Sequence, residues 1–272
     1  MNVFTGVGVA LVTIFADDGS ADPAATAALA GDLTERGIRG VLACGTTGEA
    51  ATLTDAERAS VIAAVRAVVP GDVPVLAGTG AHSAQRAAEL TAAACGAGAD
   101  AVLAWPPPGS ADLPGYYSAI RDAAAGRPVL AYHIPWISAP GVPVDALAGL
   151  PVTGVKDSSG SADRLLDEIA HYPGATYVGS SALLALAGPM GGAGAILALA
   201  NVEPERCCRA FAGDAAAQRE LAGRHLEVRA GGPAVLKRIL AASRGTPAAV
   251  RALPAEPDQA VKAASGSRSR RP

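Results

Sequence analysis

Only three of the 272 residues are lysine, against nineteen arginines, and one of the three, Lys156, falls inside the stretch Val152-Thr-Gly-Val-Lys-Asp-Ser-Ser-Gly160. An ammonium inside an apolar strand is costly to desolvate. Two arrangements relieve the cost. The amine can give up its proton and become a nucleophile that condenses with a ketone carbonyl as a Schiff base. Alternatively it stays charged and pairs with a carboxylate, for which Glu49 and Asp157 are the candidates. Arginine could fill only the second role, because a guanidinium keeps its proton at workable pH.

Two other polar stretches have chemistry to offer. Gly45-Thr-Thr-Gly-Glu49 follows an apolar run, and a tight glycine-bracketed turn of this kind exposes backbone N–H groups and threonine hydroxyls that can hold a carboxylate. It also reads as an ordinary strand-to-helix turn. Tyr132, in Tyr132-His-Ile-Pro135, puts a phenol where it could pass protons to a neighbouring reaction centre. Alone it reads equally as a satisfied, partly buried tyrosine.

The elements that would position these residues alternate regularly. Short apolar runs at 6–15, 41–45, 74–79, 101–105, 128–134, 153–157, 176–180 and 194–199 are each followed by a break and an alanine-rich helical stretch. Those helices are expected at 23–36, 54–69, 83–96, 113–125, 143–149, 161–171, 181–187 and 203–212, with more over 214–243. Thr54-Asp-Ala-Glu57 is a capping box, and Asp22-Pro23 a cap followed by proline at the first helical position. The runs lack alternation, as parallel strands covered on both faces do. Eight such units predict an α/β fold, a (β/α)₈ TIM barrel with a C-terminal helical extension, with a doubly wound sheet as the alternative. The barrel core is expected over 1–201, the last barrel helix and extension over 202–250, and a disordered tail over 251–272.

In such a barrel the site lies at the carboxyl ends of the strands, where Lys156, Thr46, Thr47 and Tyr132 fall. Bulk composition narrows the partners. The formal net charge of −3 gives no reason to expect nucleic acid or an anionic membrane. No apolar run reaches the length of a membrane span. Cys44, Cys95, Cys207 and Cys208 form no C-x-x-C pair, which argues against a zinc site or disulfide framework and for a cytoplasmic setting. Residues 3–15 imitate a leader core, but no Lys or Arg precedes them and Asp17-Asp18 follows.

Taken together, the Gly45–Glu49 turn after the second strand, Tyr132–Pro135 after the fifth and Gly154-Val-Lys-Asp-Ser-Ser-Gly160 on the sixth resemble the dihydrodipicolinate synthase/N-acetylneuraminate lyase family, the pyruvate-dependent class I aldolases. The resemblance spans about 6–250. It implies that Lys156 is the Schiff-base lysine, that Tyr132 and Thr46 form a hydroxyl relay with Tyr132 as acid/base, and that Thr47 with the Gly45 backbone cradles the pyruvate carboxylate. Gly179, Ile196, Ser180 and Trp136 would line the pocket. No metal or organic cofactor is implied, since the protonated imine is the electron sink. The partners implied are pyruvate or another 2-oxo acid and an aldehyde, in a homotetramer or homodimer.

Departures from the family pattern bear on the aldehyde. The family's synthases carry an arginine that reads the second substrate's carboxylate where this chain has Ile137, after Trp136, and a Tyr-Tyr pair where it has Pro107-Pro108. Tyr116 or Tyr117 could substitute for that pair. Sialic acid lyases carry acidic residues after strand seven, where Ser180 and Ser181 stand here. The expectation is a lyase making or breaking a carbon–carbon bond between pyruvate and a non-standard aldehyde, acting through a rather apolar rim. The alternatives are a 4-hydroxy-tetrahydrodipicolinate synthase, using aspartate semialdehyde, a pyruvate-binding barrel with little turnover, and an unrelated barrel in which Lys156 is structural.

Overall fold

A computed structural model describes residues 2–251. Its eight strands are β1 (Gly6–Ala10), β2 (Val41–Ala43), β3 (Val75–Gly78), β4 (Ala101–Ala104), β5 (Val129–His133), β6 (Gly154–Asp157), β7 (Ala175–Val178) and β8 (Gly194–Leu197). All pair in parallel in chain order, and β8 returns to β1 to close the barrel. Around them run α1 (Pro23–Glu35), α2 (Asp55–Val68), α3 (Ala84–Gly96), α4 (Leu113–Ala123), α5 (Val144–Leu147), α6 (Ala162–His171), α7 (Leu184–Ala187) and α8 (Pro204–Phe211). The extension is one helix, α9 (Ala215–Arg244), broken at Gly232, where φ 55° and ψ −140° suit only glycine; Pro233 then opens the second half. The fold is thus the expected (β/α)₈ TIM barrel with a C-terminal helical extension.

Alternation along each strand sorts the side chains. Leu42, Leu76, Leu103, Leu130, Tyr132, Tyr177 and Ile196 fill the barrel interior. Their chain neighbours, such as Val41, Val75, Val102 and Val129, pack outward against the helices. Both faces are therefore apolar, which is why the strands show no alternation in sequence.

β1 ends earlier than the apolar run suggests, because side chains take over from the ladder. Leu11 N–H still reaches Leu42 O, but Val12 N–H donates to Asn201 Oδ1 and Ile14 N–H to Thr26 Oγ1. The Asn201 amide also donates to Ala10 O and Ala198 O, stitching the end of β8 to β1. At the other end, Arg251 is held against the barrel rather than belonging to the expected tail; the rest of that tail, 252–272, lies outside the described residues.

Asn201→Leu would leave Val12 N–H and Ala10 O buried without these partners. At about 1–3 kcal/mol per orphaned group, a loss of about 2–6 kcal/mol is expected in urea unfolding, with the fold retained by circular dichroism.

Candidate active site

Lys156 occupies an inward position of β6, in register with Tyr132 of β5 and Tyr177 of β7. It is buried, and its Nζ lies 4.4 Å from the centre of the Tyr132 ring. Neither expected carboxylate pairs with it. Asp157, the next residue, points out of the barrel toward α6, where Arg164 Nε is 3.7 Å away and Ser159 donates twice to it. Glu49 is taken by Lys237 at 2.6 Å. Among the described residues Lys156 makes no ion pair.

The phenol of Tyr132 accepts a 3.3 Å hydrogen bond from Ser158 Oγ, two residues beyond Lys156 on the same face. This contact requires Gly179: a Cβ there would lie 2.0 Å from Ser158 Oγ. Thr46 is exposed and makes no hydrogen bond with Tyr132 among the described residues, so the hydroxyl next to the phenol is that of Ser158.

The Gly45–Glu49 turn is over-determined. Gly45 O accepts from the N–H groups of Gly48 and Ala50, and Gly48 O accepts from Thr13 Oγ1. Glu49 sits at φ 55°, a left-handed conformation that a non-glycine residue adopts only when held. Lys237 and the Arg251 N–H grip its carboxylate, and Lys237 also donates to Ala249 O. Lys237 and Arg251 lie over the Phe15 ring at 4.0 and 4.4 Å. The result is a rigid turn whose Thr46 and Thr47 N–H groups donate to no protein acceptor among the described residues.

A cavity of about 620 Å³ opens at this end of the barrel. Thr47, Ser158, Gly179, Ser180 and Trp136 line it, so the turn, the residues beyond Lys156 and the end of β7 converge on one space. Trp136 is 64% exposed at the rim, while Ile196 is buried inside the barrel. Ile137 packs on the interior cluster. Tyr116 and Tyr117 do not take the place of the missing pair. Both are buried, Tyr116 bonded to Trp105 O and Ala81, Tyr117 to Ala104 O, holding the end of β4. Sequence reasoning missed His225 and Arg229, which line the cavity from α9. No strand-end position points to them. Among the described residues no group of three or more His, Cys, Asp or Glu is placed to hold a metal, and no helix is long and apolar enough to cross a membrane.

A profile of the dihydrodipicolinate synthetase family matches residues 3–231. The chain belongs to that family. Its members are class I, pyruvate-dependent lyases. The 4-hydroxy-tetrahydrodipicolinate synthase of Nitrosomonas europaea is 36% identical over 233 residues, 80% of each chain. An uncharacterised DapA-like lyase of Halobacterium salinarum is 37% identical, over 74% of this chain and 68% of its own. Among solved structures, the prophage protein YagE of E. coli, crystallised with pyruvate, superposes with a TM-score of 0.84 at 26% identity, over 96% of each chain.

Two buried charge clusters hold this family site in shape. Behind β6, Arg164 reaches Glu168 at 2.9 Å but shares its charge with Asp157, and burial prevails: the Glu168 carboxyl is pushed up to about 8 by desolvation and the Asp157 charge. A carboxyl whose folded pKa is raised adds stability fully present below its unfolded value and lost as pH rises through about 8. Urea unfolding free energy should therefore decline between about pH 5 and 8, and Glu168→Gln should flatten that slope.

The second cluster is the Glu49–Lys237 pair. Glu49→Gln strands the Lys237 ammonium and should cost about 3–5 kcal/mol by urea unfolding, whereas adding Lys237→Met should recover most of the loss.

Proposed function

We propose that the protein is an aldolase that makes or breaks a carbon–carbon bond between pyruvate and an aldehyde through a Schiff base on Lys156. The observation that carries this reading is the buried Lys156 amine, without a carboxylate partner among the described residues, beside the ring of Tyr132. The amine attacks the C2 carbonyl of pyruvate, water leaves, and an iminium forms. Loss of a methyl proton gives the enamine, whose carbon attacks the aldehyde; hydrolysis then returns the free amine and the longer 2-oxo acid. Thr47 and the open N–H groups of its turn hold the pyruvate carboxylate, with Gly45 setting the turn. Tyr132 moves the proton at the aldol oxygen, and Ser158 links it to the cavity. Thr46, at the turn's exposed corner, contributes to the carboxylate cradle; Gly179, Ile196, Ser180 and Trp136 shape the space above.

The narrower reading, 4-hydroxy-tetrahydrodipicolinate synthase, is favoured by the names of the 36%-identical relatives. Ile137 argues against it, because an apolar side chain cannot supply a charge-assisted bond to an acceptor carboxylate. Assembly as a homodimer or homotetramer in the cytoplasm is part of the same proposal and rests on family membership.

Borohydride reduction in the presence of pyruvate should add a pyruvyl adduct located by mass spectrometry at Lys156, and Lys156→Ala should abolish it. Tyr132→Phe should still form the adduct while turnover falls about 10²–10⁴-fold. An adduct elsewhere would overturn the reading. An adduct without exchange of pyruvate methyl protons into deuterated water would identify a barrel that binds pyruvate without turnover.

A further inference from the structure

The cavity is larger than a three-carbon acid needs. Its volume, about 620 Å³, falls among pockets that enclose whole organic ligands, about 300–1,000 Å³, rather than a three-carbon acid alone. Its far wall is α9, which contributes His225, Arg229 and the Gly232–Pro233 break.

His225 and Arg229 are four residues apart and share one face of the helix. Ser181, just past β7, lies on the same cavity with its Oγ 2.8 Å from His225 Nδ1. The imidazole is held toward its neutral form by burial and by the Arg229 charge. One ring nitrogen is engaged with Ser181, and Nε2 has no partner among the described residues. Arg229 is exposed to the cavity mouth and has no carboxylate partner among the described residues. Arg224, Arg238 and Arg244 of the same helix each carry one, and Arg219, which also has none among the described residues, does not line the cavity. A guanidinium without a carboxylate partner among the described residues, lining the same cavity as a neutral imidazole and the hydroxyls of Ser180 and Ser181, is arranged to receive an anion with a hydroxyl next to it.

We propose that Arg229 and the Ser181–His225 pair form the acceptor subsite, and that the aldehyde partner is a hydroxylated aldehyde ending in a carboxylate or phosphate. The proposal rests on the aldolase reading for its orientation, with pyruvate on Lys156 below and the acceptor reaching up to α9. The anion reader then stands on the C-terminal helix instead of at Ile137. In the cleavage direction the substrate is a 2-oxo acid with a hydroxyl and an anion at its distal end. Reactions that supply it would be those that leave a 2-oxo group on a hydroxylated diacid or sugar-acid phosphate.

The test uses the full chain loaded with pyruvate and three unreactive acceptor mimics, glycerol, D-glycerate and glycerol 3-phosphate, with affinities measured by calorimetry. At least one anionic mimic should bind about 10- to 100-fold more tightly than glycerol, the range of a charge-assisted hydrogen bond. Arg229→Gln should erase that preference. Arg219→Gln removes the same charge from an exposed position of α9 that does not line the cavity, and should keep it. Ser181→Ala should weaken all three mimics. Comparing D-glycerate with glycerol 3-phosphate separates carboxylate from phosphate. No anionic preference, no binding of any mimic, or a preference that survives Arg229→Gln would overturn the proposal. Adduct formation at Lys156 is read in parallel, and its absence would instead sink the aldolase reading.

Discussion

Glu49 and Lys237 are both withdrawn from water and 2.6 Å apart, one on the turn after β2 and the other on the second half of α9. Desolvating the two charges is expensive, so the pair adds little net stability. Its worth lies in geometry, since neither charge tolerates separation from the other. The turn that presents Thr46 and Thr47 is fixed to the helix that roofs the cavity. Arg251 extends the same grip, reaching Glu49 through its N–H and Glu57 and Thr52 O through its guanidinium. The floor of the site and its lid are thereby one rigid piece.

That rigidity leaves Lys156 free of structural duty. A buried ammonium needs a counter-charge, and the two acids expected to supply one have other partners: Glu49 with Lys237, Asp157 with Arg164 and Ser159. Two lysines, both buried, thus divide the roles the sequence left open for one. Lys237 is the ion-pair lysine and Lys156 is left beside the Tyr132 ring. The smallness of Gly179 lets Ser158 close on the phenol from the other side.

The barrel was legible because its pattern is dense. Six of the eight strands are apolar runs ended by glycine, proline or serine, and caps such as Thr54 and Asp22 form as the residues indicate. Strand ends were less so: the run through Phe15 continues apolar after Ala10, but Asn201 and Thr26 take its N–H groups from nearly 190 and 12 residues away. Lys156, Tyr132, Thr47, Gly179 and Ser180 are legible as candidates because they stand at strand ends, where a barrel's site is expected. Ser158 was passed over because its partner is set by a missing side chain at 179. His225 and Arg229 look like any solvated helical face, since nothing local records that α9 crosses the mouth. The expectation of an apolar rim came from Trp136, Ile137 and the prolines alone.

The break in α9 bears on how the chain covers its own barrel. Thirty residues of unbroken helix would run straight for roughly 45 Å. Turned at Gly232, the same residues keep Leu221 and Val228 on one side of the bend and Leu236 and Leu240 on the other buried against a single core. A side chain at 232 would oppose the bend, and a straightened rod would have to lift one end away. The roof therefore follows the curve of the barrel because one position does without a Cβ.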